Sequence, residues 1–327
     1  MAGRWCWKCR RRSWKNSLAG KVKLLCVCGP TASGKTGLSV ALARTFGGEI
    51  VNADSMQIYQ GLDVGTAKVT TAEAQGVPHH LVGFLAPEKA FSVADYVEAA
   101  GRCIGEIAGR GRLPFVVGGT GLYIESLLEG VRFAPQKTDP ALRAALALRA
   151  DREGPEALHA ELRRIDPAYA AAVHPHNKGR VLRALELYYT SGVTMTQQRE
   201  ASRPAQRPYN ALVLCLDWPR GQLYERIDRR VDQMLERGLL AEAELVWKNR
   251  ESYKTAAQAI GYKELFPYFE GAAPLEACAA KLKQASRNYA KRQLTLFRRM
   301  EGVVWLDGSA PGVQQAAEQA IRGRFAL

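Results

Sequence analysis

The run Gly29-Pro30-Thr31-Ala32-Ser33-Gly34-Lys35-Thr36 has the spacing G-x-x-x-x-G-K-T. It follows the apolar stretch 24–28 and precedes a helical pattern from about Thr36, the context in which such a loop cradles phosphate. Glycine at positions 29 and 34 lets the backbone turn with its N–H groups inward, and the following helix adds the positive end of its dipole. Lys35 can reach phosphate oxygens, and Thr36 can offer its hydroxyl to Mg2+. The chain is therefore expected to bind a di- or triphosphate.

Asp54 follows the second apolar run, where a carboxylate can hold a metal-bound water, act as a general base, or simply cap a turn. The third run, Phe115-Val116-Val117, ends in Gly118-Gly119-Thr120-Gly121 and carries no acid. A motor or switch NTPase needs a carboxylate there for metal and water, so its omission argues against those classes. The Gly-Gly-Thr-Gly segment offers backbone access and one hydroxyl, and also suits a tight turn. His174-Pro175-His176 lacks nearby partners and reads as a loop rather than a metal site. Asn177 is placed to cap a helix that carries Arg180 and Arg183 on one face, a pair suited to phosphate or to a solvated surface. From Lys281 to Met300 no acid interrupts a helical pattern with Gln284, Arg287, Asn288, Lys291, Thr295 and Arg298 on one side. A solvated face mixes charge signs, so this one suits a polyanion such as RNA.

These residues need a frame. Short apolar runs alternate with helical stretches from about residue 23 to 132, which predicts a parallel sheet flanked by helices, with ligands at the carboxyl ends of the strands. Runs at 24–28, 49–52, 113–117, 211–216 and 303–306 are the strand candidates. Residues 133–204 are rich in Ala, Leu and Arg at helical spacing and predict an inserted helical subdomain, so that 23–132 and 205–327 form one core. The fold class is thus α/β, P-loop NTPase-like. With 327 residues, 47% of them hydrophobic, the chain can bury a core of this size. No apolar run approaches the roughly 20 residues of a membrane span and no secretory h-region opens the chain, so a soluble, cytoplasmic monomer is expected. Eight Lys or Arg residues and no acid occupy residues 1–23, more than half of the net charge of +14. Residues 1–22 read as a basic extension outside the fold. Its Cys6 and Cys9 have no second pair at zinc-ligand spacing.

The phosphate loop, Asp54-Ser55-Met56-Gln57, the block Gly61-Leu62-Asp63-Val64-Gly65-Thr66-Ala67-Lys68, Pro78-His79-His80-Leu81, Gly118-Gly119-Thr120-Gly121-Leu122-Tyr123, Arg183-Ala184-Leu185-Glu186, Gln258-Ala259-Ile260-Gly261-Tyr262 and Lys291-Arg292-Gln293 occur in this order. In these blocks the chain resembles the tRNA dimethylallyltransferase family. The resemblance implies transfer of a dimethylallyl group from its diphosphate to the exocyclic amine of the adenosine 3′ to the anticodon, in tRNAs reading U-initial codons. It implies that Gly29, Thr31, Ala32, Ser33, Gly34, Lys35, Thr36 and Arg180 hold the diphosphate, with Mg2+ at Thr36. It implies that Asp54 takes the amine proton, with Thr120 and Lys35 completing the catalytic group. The tRNA anticodon stem-loop would meet Asp54, Ser55, Met56, Gln57, Thr120, Arg143, Arg180, Arg183, Arg287, Lys291, Arg292 and Arg298. Gly179 departs from the pattern, since some members carry Gln there.

The chemistry is consistent with the residues. A diphosphate leaving an allylic carbon gains negative charge, which the cradle, Lys35 and Mg2+ stabilise most as the bond breaks. A P-loop small-molecule kinase would also use Lys35, Mg2+ and Asp54, and the acid-free basic helix is the feature it leaves unexplained. A nucleotide-gated RNA-binding protein would want switch loops, and none is recognisable.

Overall fold

A computed structural model describes residues 20–133, 139–202, 204 and 206–326. The basic extension, except for its last three residues, and the Cys6/Cys9 pair lie outside the described residues. Two compact units divide the chain, one comprising the described residues up to Leu128 and from Arg207 onward, the other Glu129–Gln206.

The first unit is built on six strands: β1 (Lys23–Cys28), β2 (Gly48–Asn52), β3 (His79–His80), β4 (Leu113–Gly118), β5 (Asn210–Asp217) and β6 (Val303–Asp307). They form one parallel sheet in the order β3-β2-β4-β1-β5-β6. Each of the five expected runs is a strand. The two-residue β3 has no apolar run to announce it; it is held by pairing of His79 and His80 with Ile50 and Val51.

The helices in chain order are α1 (Lys35–Thr45), α2 (Thr71–Ala74), α3 (Val93–Gly109), α4 (Gly121–Glu129), α5 (Pro140–Glu153), α6 (Pro155–Ile165), α7 (Pro167–Ala171), α8 (Lys178–Ser191) and α9 (Met195–Ser202). They continue with α10 (Arg220–Glu236), α11 (Leu239–Lys248), α12 (Phe266–Phe269), α13 (Leu275–Phe297) and α14 (Val313–Phe325).

Alternation along β1 explains the layers. Leu24, Cys26 and Cys28 point to one face, where Tyr96 and Ile104 of α3, Ile124 and Leu127 of α4 and Phe297 of α13 cover them. Leu25 and Val27 point to the other, under Leu38 and Leu42 of α1 and Ile321 and Phe325 of α14. A separate apolar cluster joins Ile58, Tyr59 and Leu62 to Val231, Leu239, Tyr262 and Leu282, and so fastens the segment after β2 to α10, α11 and α13. In the second unit, α5 to α8 bury Leu146, Leu158, Leu162, Val181 and Leu185. Its limits lie a few residues outside the 133–204 expected from composition.

The structure lengthens the basic helix. α13 begins at Leu275 behind Pro274, so its first turn includes the acidic Glu276. Among the described residues no helix is long and apolar enough to cross a membrane.

The glycines after β4 are steric necessities. A Cβ on Gly118 would lie 2.2 Å from the Ala53 carbonyl oxygen, and neither backbone can yield without breaking strand pairing. Gly118→Ala is expected to lower the unfolding free energy by about 2 kcal/mol or more, read by denaturant melts against wild type.

Candidate active site

Three strand ends converge. The loop after β1 runs from Gly29, whose φ of +147° tucks it 3.0 Å, measured from an ideal Cβ, from the Leu216 carbonyl oxygen. Ala32, at φ +61°, and Gly34, at φ +89°, complete the turn into α1. Thr31, Ala32, Ser33, Gly34, Lys35 and Thr36 then line a cavity of about 770 Å³, whose walls come wholly from the first unit. Gly29 shapes this cradle from beneath and is not among its lining residues.

The loop is held from outside by side chains far from it in sequence. Gln293 of α13 is buried; its Oε1 accepts from the Thr31 N–H at 2.9 Å and its Nε2 donates to the Gly119 carbonyl at 2.9 Å. Arg226 of α10 donates from Nε to the Ala32 carbonyl at 2.8 Å, and its guanidinium lies 4.1 Å from the centre of the Trp218 ring. Trp218 in turn donates to the Ser33 carbonyl at 3.0 Å. Arg229 and Arg230 line the same cavity. In sequence these arginines interleave with Glu225, Asp228 and Asp232, so no charge pattern marks them.

Crowded cations leave a mark on Lys35. Its ammonium donates to the Pro30 carbonyl at 2.7 Å. Burial, and after it the charge of Arg230, push its pKa down to about 8, against the opposing pull of Asp54. Arg230 is likewise lowered, by burial. Such a site favours an anion that restores the protonated form.

Asp54 opens onto this cavity together with Ser55, Met56 and Gln57. Its Oδ1 accepts from the Met56 N–H at 2.9 Å, an Asx turn, while Asn52 holds its backbone N–H and carbonyl at 3.0 and 3.1 Å. The turn-capping reading is therefore correct for Oδ1. Oδ2 has no hydrogen-bond partner among the described residues and is the oxygen left for a ligand.

Thr120 is brought to the same loop but is not among the cavity-lining residues. Its hydroxyl accepts from the Ser55 N–H at 3.0 Å, so it supports the Asp54 segment from behind. Tyr289, absent from the sequence-derived site, lines the cavity beside it. Burial raises the Tyr289 phenol to about 12, with hydrogen bonding to Thr120 and Gln293 acting the other way. The Arg292 guanidinium lies 5.6 Å from the Tyr289 ring centre and also reaches the cavity.

The basic face of α13 differs from expectation. Arg287 pairs with Asp228 of α10 at 2.6 Å and Lys283 with Asp232 at 2.6 Å, so the acids absent from residues 281–300 are supplied by a neighbouring helix. Arg298 meets Asp217 at 3.6 Å. Lys291 is exposed and stands 6.0 Å from the Tyr224 ring centre. In the second unit, Asn177 caps α8, Arg180 is exposed, and Arg183 pairs at 3.0 Å with the buried Glu186. Arg143 is exposed on α5.

Mg2+ suits the donors present. Among the described residues no group of three His, Cys, Asp or Glu could hold a metal alone. The cradle instead offers hard oxygens, from Thr36 and the buried, unpartnered Ser33 hydroxyl. One or two such ligands plus phosphate oxygens are the usual set for this ion.

Known proteins resemble this chain in sequence and fold. A family model described as IPP transferase matches residues 57–300, and one described as isopentenyl transferase matches residues 22–81. The tRNA dimethylallyltransferase of Bacillus subtilis (strain 168) is 48% identical over 291 residues, 89% of this chain and 92% of that protein. The one from Halalkalibacterium halodurans is 46% identical over 287 residues, 88% and 91% of the two chains. The crystal structure of the full-length tRNA isopentenylpyrophosphate transferase from Bacillus halodurans superposes with a TM-score of 0.69 at 43% identity, covering 93% of this chain and 97% of that one. A eukaryotic dimethylallyltransferase acting on tRNA superposes at 0.77 with 30% identity, covering 92% and 78%. None of these relatives is a kinase.

The shifted Lys35 sets a pH dependence. As pH rises through about 8 the free protein loses this ammonium, while a bound anion favours keeping it. Affinity for dimethylallyl diphosphate is expected to weaken above pH 8, by up to about tenfold per unit, and Lys35→Met to bind weakly without that step. Calorimetric titrations between pH 7.5 and 9.5 check this; a flat wild-type profile would contradict it.

Proposed function

The chain belongs to the tRNA dimethylallyltransferase family, and from that premise we propose that its cavity prenylates the exocyclic amine of the adenosine 3′ to the anticodon in tRNAs reading U-initial codons. The observation that carries the reading is that an anion cradle and a carboxylate with one uncommitted oxygen line one cavity. The donor is dimethylallyl diphosphate and the acceptor is tRNA.

The steps follow from charge. The diphosphate lies against residues 31–36, where backbone N–H groups, Lys35 and the arginines of α10 meet its oxygens. Mg2+, held through Thr36 with Asp54 close by, would supply further positive charge to the leaving group. The adenine amine attacks the allylic carbon, the new N–C bond forms, and the C–O bond breaks with its electron pair going to diphosphate. Asp54 Oδ2 accepts the amine proton, and Lys35 stabilises the charge that develops on the departing oxygens. A looped anticodon lets the base leave its stack at small cost.

Ser55, Met56 and Gln57 are proposed to meet the flipped base. Thr120 supports them through Ser55. Arg143, Arg180 and Arg183 are proposed to meet tRNA, and Lys291, Arg292 and Arg298 the anticodon arm. Arg287 is assigned to holding α13 against α10, because its partner Asp228 is within 2.6 Å. Action as a monomer is proposed, and the substrate suits a cytoplasmic site.

With labelled dimethylallyl diphosphate and Mg2+, wild-type protein is expected to label tRNA. Asp54→Ala should abolish turnover while tRNA binding by filter assay persists. Labelled product from ATP and a small metabolite, in the absence of tRNA, would instead establish a kinase. Lys291→Ala with Arg292→Ala should lower the salt slope of tRNA binding by about 1 to 2, whereas Arg287→Ala should mainly lower thermal stability. An unchanged slope in the double variant would remove these two residues from the RNA interface.

A further inference from the structure

Two sequence blocks take no part in the chemistry above, residues 61–68 and 258–262, and they meet at one carboxylate. Glu242, in the first turn of α11, accepts hydrogen bonds from the N–H groups of Asp63 at 2.6 Å, Val64 at 2.9 Å and Gly65 at 2.7 Å. A fourth comes from the buried Tyr262 hydroxyl at 2.8 Å. The Tyr262 ring leaves no space on the loop, since a Cβ at Gly65 would lie 2.5 Å from it. The loop also closes on itself, Ala67 N–H to the Val64 carbonyl and Lys68 N–H to the Asp63 carbonyl, both at 2.9 Å.

The carbonyls that this loop then turns outward are those of Thr66 and Ala67. Gln57 Nε2 donates to them at 3.1 and 3.2 Å. Both amide protons are spent there, and Gln57 lines the cavity, so Oε1 is the atom left for a ligand. Rotating the amide would set Oε1 against two carbonyl oxygens and leave each without a donor, which fixes its direction. An outward oxygen accepts from a base edge that carries an amine and opposes one that carries a carbonyl.

We propose that Glu242 is a positioning residue for base selection: by clamping residues 63–65 it locks the Gln57 amide with its oxygen toward the exocyclic amine of the target adenine. The proposal rests on the prenyl-transfer reading above. Glu242 touches neither substrate; it acts through the loop and Gln57.

The test is a double-mutant cycle on transfer to an anticodon stem-loop, with wild type, Glu242→Gln, Gln57→Ala and the pair. Glu242→Gln keeps the side-chain shape but places an amide N–H against backbone N–H donors. It is expected to lower kcat/KM for the RNA by about tenfold or more, yet to add less than about twofold in the Gln57→Ala background. Its affinity for inorganic diphosphate should stay within about twofold of wild type, because the cradle is a separate loop. Equal losses in both backgrounds, or a fall in diphosphate affinity matching the fall in rate, would overturn the proposal. Should Glu242→Gln fail to fold, Tyr262→Phe removes a single donor and keeps the ring; a loss of about threefold that vanishes in the Gln57→Ala background is then expected, and an additive loss overturns the proposal. Failure of wild type to label RNA would refute prenyl transfer itself, which is distinguishable from additivity in a wild type that works.

Discussion

Gln293 is the joint on which the site depends. One buried amide, near the C-terminal end of a 23-residue helix, accepts from the phosphate loop at Thr31 and donates to the turn after β4 at Gly119. An unmet buried partner on either side would carry a desolvation cost of about 1–3 kcal/mol, so the two loops and the helix are held together. The same contact explains a glycine: a Cβ at Gly119 would lie 2.2 Å from Gln293 Nε2. The cradle, the Asp54 segment behind Thr120 and the Tyr289 wall all take their relative positions from this bridge.

Positive charge gathers at that joint without a counterion from the chain in proportion. Lys35, Arg226, Arg229 and Arg230 share one cavity with a single carboxylate, Asp54, among them. Burial lowers the pKa of both Lys35 and Arg230, and the charge of Arg230 lowers that of Lys35 further. Folding tolerates this because Arg226 is pinned to Ala32 and Trp218, and apolar packing of Leu223, Ile227 and Ala290 binds α10 to α13. A bound diphosphate relieves the repulsion, so the site is poised for an anion and reacts most strongly to the one that gains charge as a bond breaks.

The Gln57 amide, proposed above to read the base, is held by hydrogen bonds between segments far apart in sequence. Gln57 is oriented by carbonyls at residues 66 and 67, and that loop by Glu242 and Tyr262 from residues nearly two hundred positions later. Asp54 and Gln57 are thus three residues apart yet differently governed. Local turn geometry aims Asp54, whereas distant chain aims Gln57.

The sequence by itself determined the phosphate loop, the five apolar strands and the identity of Asp54, because these are written in short-range patterns: fixed glycine spacing, a lysine, and runs that must be buried on both sides. It also gave the order of elements from which a parallel sheet follows. Only the tertiary structure decided which side chains complete the site. Gln293, Arg226, Arg230 and Tyr289 lie on helices whose periodicity says that a face is buried or basic but not against what. The basic face of α13 looked uncompensated because its acids, Asp228 and Asp232, belong to another helix. Thr120 sits at a strand end by its motif, and only packing shows that its hydroxyl also accepts from the Ser55 N–H. Hydrogen-bond partners and charge neighbours across long sequence separation are properties of packing, and no local pattern encodes them.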